Sequence, residues 1–463
     1  MCRGDDPSCS EFELHHRQFV EDMARERRAF LASRFVAKGG AATLAAGGLA
    51  LPRRTSPATR HHHLPANADT VHWGYFSKNL KPQLDVESGD FVTIETLTHQ
   101  ASDDHERMIA GDPGAESVYL WTRDKKGVAR RGAGEGDGKG LGVHICTGPV
   151  LVQGAEPGDV LEVRIVDVTL RPSSNPKFRG LAFGSNAAAN WGYHYNDFLT
   201  GETREVVTIY ELDATGERNW ARAVYNFRWP EVTDPFGAKH KTIDYPGLPV
   251  DHALTARNWD VLKGVRVPVR PHFGVMGLAP KEADDVNSVP PSYTGGNIDN
   301  WRIGKGASAF YPVAVPGALL SVGDPHASQG DSELCGTAIE CSLTGTFQLI
   351  LHKASALAGT PIEGLDFPMI ETRDEWVLQG FSWPNYLADL GADAQSEIFR
   401  KSSVDLAMRD AFRKMRRFLM TAKNLTEDEA ISLMSIAVDF GITQVVDGNW
   451  GVHAIVRKDI FPA

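Results

Sequence analysis

The stretch Ala309–Lys353, AFYPVAVPGALLSVGDPHASQGDSELCGTAIECSLTGTFQLILHK, decides how this chain is read. Ala309 to Val322 is an apolar strand run broken by Pro312 and Pro316, and the part from Gly336 onward reads as a hairpin turning at Thr344-Gly345. Between them, Gly323–Glu333 packs Asp324, His326, Asp331 and Glu333 closely, with a further carboxylate at Glu340. An acidic loop clamped between strands is the expectation. Asp, His and Glu on a loop with fixed ends suit a divalent cation, because a borderline ion such as Zn²⁺ accepts imidazole nitrogen together with carboxylate oxygen. The alternative is a polar loop whose aspartates cap turns.

Working outward, Val71 to about Lys353 shows short alternating runs separated by Gly, Pro, Asp and Asn, with no long helical period. In FVTIET, Phe91, Thr93 and Glu95 share one face and Val92, Ile94 and Thr96 the other. The Pro157-Gly158-Asp159 turn feeds a strand with Leu161, Val163 and Ile165 inward and Glu162 and Arg164 outward. Arg130 to Gly142 is rich in glycine but neither follows a strand nor opens a helix, so a loop is expected rather than a phosphate cradle. From Gly359 the pattern changes. Ser402 or Ser403 can cap a helix with Val404, Met408, Ala411, Phe412, Met415, Phe418 and Leu419 at helical spacing. Thr426 and Glu429 form a capping box for a second helix with an apolar face of Ile431, Met434, Ile436 and Val438, stopped by Gly441. ITQVVDGNWGVHAIV then reads as a closing hairpin about Asp447-Gly448. The expected fold class is α+β: a β-rich core, sandwich or barrel-like, with a C-terminal helical pair and a closing hairpin. Residues 69–463 form one unit, β-rich over 71–353 and helical or closing over 359–463.

The 463 residues are 42% apolar and 23% charged, enough for a large buried core. A net charge of −11 gives no field that gathers polyanions, so nucleic acid is excluded as a partner. Five scattered cysteines lack both the CxxC pairs of a zinc ribbon and the density of a disulfide scaffold, and read as free thiols, with Cys335 and Cys341 the one conceivable pair. Arg27-Arg28-Ala29-Phe30-Leu31 matches a twin-arginine export signal, followed by a weakly apolar run from Gly39 to Leu51 and an A-x-A site at Ala66-Asn67-Ala68. Residues 1–68 are thus expected to be signal and linker, with His61-His62-His63 solvated, no stable membrane insertion, and a periplasmic or secreted product. An amphipathic helix from Glu11 to Ala37 is the other reading.

Outside the acidic stretch, Gly295-Gly296-Asn297-Ile298-Asp299-Asn300 offers a close-approach backbone beside an Asp that can reach a metal. His99, near Asp103, Asp104 and His105, forms a second His/Asp cluster, while His144 and His272 stand alone. No G-x-S-x-G elbow, H-E-x-x-H helix, P-loop or dinucleotide fingerprint is present. GGNIDN, the block Gly317–Glu340, TGPVLVQGAEPGDVLEV, HFGVMGLAP and TQVVDGNWGVHA together resemble the acetamidase/formamidase family of short-chain amide hydrolases, in order from Val71 to Ile460. That resemblance implies a β-rich fold, a divalent metal (zinc first, calcium second) and ammonia release from a small amide. Where shorter members usually read GDGE, this chain reads Gly330-Asp331-Ser332-Glu333, and it carries aromatic-rich insertions between Arg171 and Asp251.

On this reading Asp299, Asp324 and His326 hold the metal and His99 completes the set, while Glu333 takes the water proton, with Glu340 in reserve as ligand or base. His144 and Asn297 are candidates for holding the oxyanion. The partners are a small amide and water, and a homo-oligomer is expected. The aromatic group Trp191, Tyr193, Tyr195, Phe198, Tyr225, Phe227 and Trp229 either lines the substrate pocket or forms the insertion's own small core. A competing reading is a non-catalytic exported solute- or carbohydrate-binding β protein with a structural calcium site.

Overall fold

The computed structural model describes residues 59–120, 142–234, 237–243 and 247–462. The twin-arginine pattern, the Glu11–Ala37 helix and nearly all of the glycine-rich stretch lie outside those residues. His61 onward forms one unit, built on two large sheets. One has nine strands in the order His61–Leu64, Phe91–Glu95, Leu343–His352, Val160–Leu170, Ser308–Pro312, Met369–Glu371, Glu375–Phe381, Gly451–Arg457, Val438–Gln444. The other runs from Val267–Pro268 through Trp220–Arg228, Val206–Asp213, Leu181–Ala188, Ile339–Glu340, Leu320–Ser328 and His272–Gly277 to Gly295–Asn297. Ile145–Val152 also pairs with Leu320–Ser328.

The sheets share a single apolar layer, which makes the core a sandwich. Val92, Ile94, Leu161, Val163, Ile165, Phe347 and Leu349 from the first sheet meet Val150, Phe273, Met276, Leu320 and Val322 from the second. The expected alternation holds in Phe91–Glu95, where Val92 and Ile94 are fully buried. Phe273 and Phe347 touch across the layers with ring centroids 5.3 Å apart. Gly345 makes room for that pair, since a Cβ there would fall 2.4 Å from the Phe347 ring and 2.7 Å from the Phe273 ring.

Several expectations are corrected. His61–Leu64 is not solvated linker but a strand, in parallel register with Phe91–Ile94, and Ala66 is buried. Asp324 and His326 do not lie on a loop: Leu320–Ser328 is a buried strand. The turn at Thr344-Gly345 does not form, because both residues sit inside the strand Leu343–His352, paired to Phe91–Glu95 and Val160–Leu170. Glu162 does not face outward; it is buried between Arg164 and His352, whose nitrogens lie 2.5 and 2.7 Å from its carboxylate. Cys335 and Cys341 are unpaired thiols.

The helical pair forms as Val404–Lys423 and Glu427–Ala437, the second with the capping box of Thr426 and Glu429 in place. The second helix stops at Ala437, before Gly441, because the chain turns directly into the strand Val438–Gln444. Of its expected face only Met434 and Val438 are buried, while Ile431 and Ile436 are 44% and 78% exposed. The first helix sits close to the sheet at Gly380, where a Cβ would collide with the Ala411 backbone. Lys414, buried there, donates to the Gln379 carbonyl at 2.9 Å and pairs with Asp410 at 2.5 Å. Asp410 accepts from the Phe381 N–H at 2.9 Å, so the buried charges are mutually satisfied.

Because Phe347 joins the two sheets, Phe347→Ala is expected to cost about 3–5 kcal/mol by leaving a cavity. Equilibrium denaturation reads this directly, and a cost below about 1 kcal/mol is the outcome against a shared core.

Candidate active site

The strand Leu320–Ser328 is hydrogen-bonded on both edges, to His272–Gly277 on one side and to Ile145–Val152 and Ile339–Glu340 on the other. Leu320 and Val322 of this strand lie in the apolar core, whereas Asp324 and His326 further along it point into one polar space. Asp324 adopts φ +49°, and the register steps from Phe273↔Pro325 to Val275↔Gly323, leaving Asp324 opposite Gly274. A Cβ on Gly274 would stand 2.3 Å from Asp299 Oδ1, 2.5 Å from Asp324 Oδ2 and 2.6 Å from the His326 ring. Only the absence of a side chain there lets the two carboxylates and the imidazole converge.

His326 Nε2 lies 3.1 Å from Asp324 Oδ2 and 3.2 Å from Glu340 Oε1. His99 Nδ1 is 3.4 Å from Asp324 Oδ1 and 4.0 Å from Glu340 Oε2, and His144 Nε2 is 3.7 Å from Asp324 Oδ2. Two adjoining groups of ligand-type atoms result: His99, Asp324 and Glu340 in one, and Asp299, His326 and Glu333 in the other, each within 4.8 Å of one another and all buried. The structure therefore brings together seven of the eight residues singled out from sequence, but divides Asp299, Asp324, His326 and His99 between two groups and adds a glutamate to each. Asn297 is buried nearby in the chain, its amide donating to the Val289 carbonyl at 3.1 Å.

Supporting contacts fix these groups. Gln329 donates to the Asp299 carbonyl at 2.6 Å, and its Oε1 lies 3.1 Å from His326 Nδ1 and 2.9 Å from His272 Nε2. His272 is held through Nδ1 by the Arg270 carbonyl at 2.7 Å, and His144 by Ser288 Oγ at 2.9 Å. Asp299 and Glu333 hold left-handed backbone, φ +54° and +47°. For residues with a Cβ this costs on the order of 1–3 kcal/mol, persisting only where surroundings over-determine it. The closing hairpin contributes twice. Ser332 bridges to its strand through the Thr443 carbonyl at 2.9 Å, placing Glu333, and the buried Asp447 brings a further carboxylate beside Asp299. Gly274, His272, Gln329 and Asp447 were not legible as site residues, because a lone His or Gly in a strand and an Asp in a turn each have ordinary explanations.

The electrostatics are those of crowded buried charge. Burial and the neighbouring Asp324 push the Asp299 carboxyl up to about 7, and burial with Asp299 beside it raises Glu333 well above the carboxylate range. Glu340 is raised by burial as well. Burial disfavours charge on His326 and His99, yet the adjoining carboxylates hold both above the usual imidazole range, and His326 holds Asp324 well below its own against the effect of burial. His144 and His272 are lowered by burial to about 4 and about 3 and stay neutral. Several buried atoms here lack a hydrogen-bond partner: both oxygens of Asp299, Asp324 Oδ1, Glu340 Oε2, His99 Nδ1 and His326 Nε2. Orphaned carboxylate oxygens and imidazole nitrogens facing one space have the donor chemistry of a divalent-ion site.

If Gly274 is kept small only to admit these groups, Gly274→Ala should destabilise by overpacking, about 1–3 kcal/mol, although its backbone is unstrained. A variant melting like the parent is the outcome against this convergence.

Comparison with known proteins bears on the family and the fold. The sequence profile of the acetamidase/formamidase family matches residues 141–283 and 281–463. An acetamidase from Mycolicibacterium smegmatis is 33% identical over 217 residues, 42% of this chain and 50% of that protein. A formamidase from Methylophilus methylotrophus is 34% identical over 208 residues, 42% of this chain and 48% of that protein. The chain thus spans about half the length of the curated relatives it matches. Among solved structures, a predicted acetamidase/formamidase from Thermoanaerobacter tengcongensis shares the fold at TM-score 0.57 and 22% identity, covering 87% of this chain and 97% of that one. An acetamidase from Bacillus halodurans does so at 0.56 and 20%, covering 86% and 98%. By the reach of the family profile and the shared fold, the chain belongs to the acetamidase/formamidase family.

Proposed function

We propose that this protein hydrolyses the C–N bond of amides to carboxylate and ammonia with the help of a divalent metal, zinc in the first place. Family membership supports the amide chemistry; the single observation that carries the metal is the buried set of unpartnered carboxylate oxygens and imidazole nitrogens around Gly274. Asp299, Asp324, His326 and His99, with Glu340, would hold the ion. When bound, such an ion lowers the pKa of coordinated water and polarises a carbonyl.

The chain's own groups supply the rest. Glu333, buried in the Asp299–His326 group, is positioned to take a proton from the attacking water and return it to the leaving nitrogen. His144, neutral and oriented by Ser288, presents Nε2 toward Asp324 and can donate to oxygen developing negative charge. The competing reading, a calcium-bearing binding protein, is disfavoured by the imidazoles, since Ca²⁺ takes oxygen almost exclusively.

Export through Arg27-Arg28 is proposed on the sequence alone. Because His61–Leu64 is a sheet strand, a cut at Ala66–Ala68 would remove it, so a mature N-terminus upstream of His61 is the expected result of sequencing an exported product. Self-association is proposed on the exposed Ile431 and Ile436, and sedimentation velocity reads it directly.

His326→Ala should lose bound metal and lower kcat/KM by more than the roughly 10–100-fold that even outer partners of a metal cost. A metal-replete, fully active His326→Ala ends the model. The pH dependence has a definite sign. Asp299, raised to about 7, keeps a proton in the folded protein that the unfolded chain gives up from the ordinary Asp range upward, so metal-free stability falls as pH rises across that interval. A cation displaces the proton, so its affinity rises over the same range. The Tm difference between metal-loaded and chelated protein should therefore widen from about pH 5 to about pH 8. A constant or shrinking difference contradicts the assignment.

A further inference from the structure

The insertion's aromatic side chains separate into distinct groups. Tyr225 and Phe227 are buried in a local core with Ala187, Val207, Ile209 and Ile243. Tyr193 and Phe198 stack on each other at the surface, 46% and 64% exposed, with centroids 5.6 Å apart. Trp191 packs on the edge of the local core and reaches out of it to Gly336, three residues beyond Glu333. Its Nε1 donates to the Gly336 carbonyl at 2.9 Å, and a Cβ on Gly336 would fall 2.4 Å from the indole.

The segment that carries Glu333 belongs to no strand. Residues 329–338 run between Leu320–Ser328 and Ile339–Glu340, with left-handed φ of +83° at Ser332 and +47° at Glu333. Glu333–Gly336 closes as a turn in which the Gly336 N–H donates to the Glu333 carbonyl at 2.9 Å. Backbone of this kind persists only where outside contacts fix it. On one side the closing hairpin does so: Ser332 donates to the Thr443 carbonyl at 2.9 Å and accepts from the Val445 N–H at 3.3 Å. On the other side the insertion engages the three carbonyls that follow Glu333. Leu334 accepts from the Tyr193 N–H at 2.9 Å, Cys335 from the Ala189 N–H at 3.2 Å, and Gly336 from the Trp191 indole. Asn186 extends the grip, its amide donating to the Thr337 and Ala338 carbonyls at 3.0 and 3.1 Å.

Polar backbone outside regular structure has to find its partners elsewhere, and here the partners also set where Glu333 sits. A reacting group displaced by about 1 Å can cost on the order of 100-fold in rate. We propose that Trp191 is a positioning residue for Glu333: its indole N–H, with the N–H groups of Ala189 and Tyr193, fixes the turn that keeps the carboxylate in the Asp299–His326 group. This rests on the amide-hydrolysis reading above, with Glu333 as its base. Trp191 acts through the backbone of the turn and touches no reacting atom. The insertion then serves the reaction by bracing the base from outside the site.

Trp191→Phe keeps a ring against Gly336 and removes only the donor. The test measures ammonia release from formamide, acetamide and benzamide with metal-supplemented full-length protein. In Trp191→Phe, kcat is expected to fall about tenfold or more, with KM and bound metal unchanged. Hydrogen exchange read by mass spectrometry should quicken in peptides covering residues 330–338 and stay as it was in Leu320–Ser328. Phe198→Ala, in the exposed stack, should match the parent in both measurements. Trp191→Phe that turns over like the parent while Glu333→Gln is inactive overturns the brace and leaves the amidase reading standing. Unchanged exchange over residues 330–338, or an equal loss in Phe198→Ala, also overturns it. So does a Trp191→Phe that loses metal or gains in KM as kcat falls, since the residue is then structural alone. Glu333→Gln as active as the parent, or no turnover of any amide by the parent, removes the base itself and the proposal with it.

Discussion

The rest of this structure depends on holding Asp299, Asp324, Glu333 and Glu340 in one buried space. Carboxylates taken out of water and set beside one another repel, and unpaired burial of even one is expensive enough that the group normally neutralises. His326 and His99 supply part of the opposing charge, which the raised pKa values of Asp299 and Glu333 show to be insufficient. A bound cation would meet the remaining deficit. Asp299, Asp324 and Glu333 all hold left-handed backbone, a conformation that persists only where the surroundings over-determine it.

Such a cluster needs a stiff frame, and the sandwich provides one. The strand that carries Asp324 and His326 is paired along both edges, and its apolar residues Leu320 and Val322 sit in the layer shared with the other sheet. Phe273, one residue before the crucial Gly274, packs on Phe347 across that layer. The floor of the site and the centre of the core are therefore adjacent positions of one strand. The remaining site residues arrive from remote parts of the sequence, from His99 to Asp447, which is why the closing hairpin is wound back onto the β body.

Periodicity made much of this legible. Alternation in FVTIET, the capping box at Thr426 and Glu429, and the hairpin about Asp447-Gly448 all follow from local rules that the fold does not override. The density of Asp, His and Glu between Asp324 and Glu340 likewise singled out residues that the fold brings close together. What failed had a common cause. Gly323, Asp324 and Pro325 are poor strand formers and read as loop, yet tertiary pairing makes them strand: Pro325 needs no N–H where it lies, and its carbonyl accepts from Cys341 N–H at 2.9 Å. Glu162 follows the alternation but faces a second buried surface, where Arg164 and His352 neutralise it. Asp447 sits where turn chemistry fully explains an aspartate, so its place beside Asp299 had no local signature.

Burial also sets what the site can do. Hydrogen bonds and charges act most strongly where water is excluded, so a polar group brought against this cluster would meet a stronger field than the same side chains would give at the surface. Burial restricts access in the same measure.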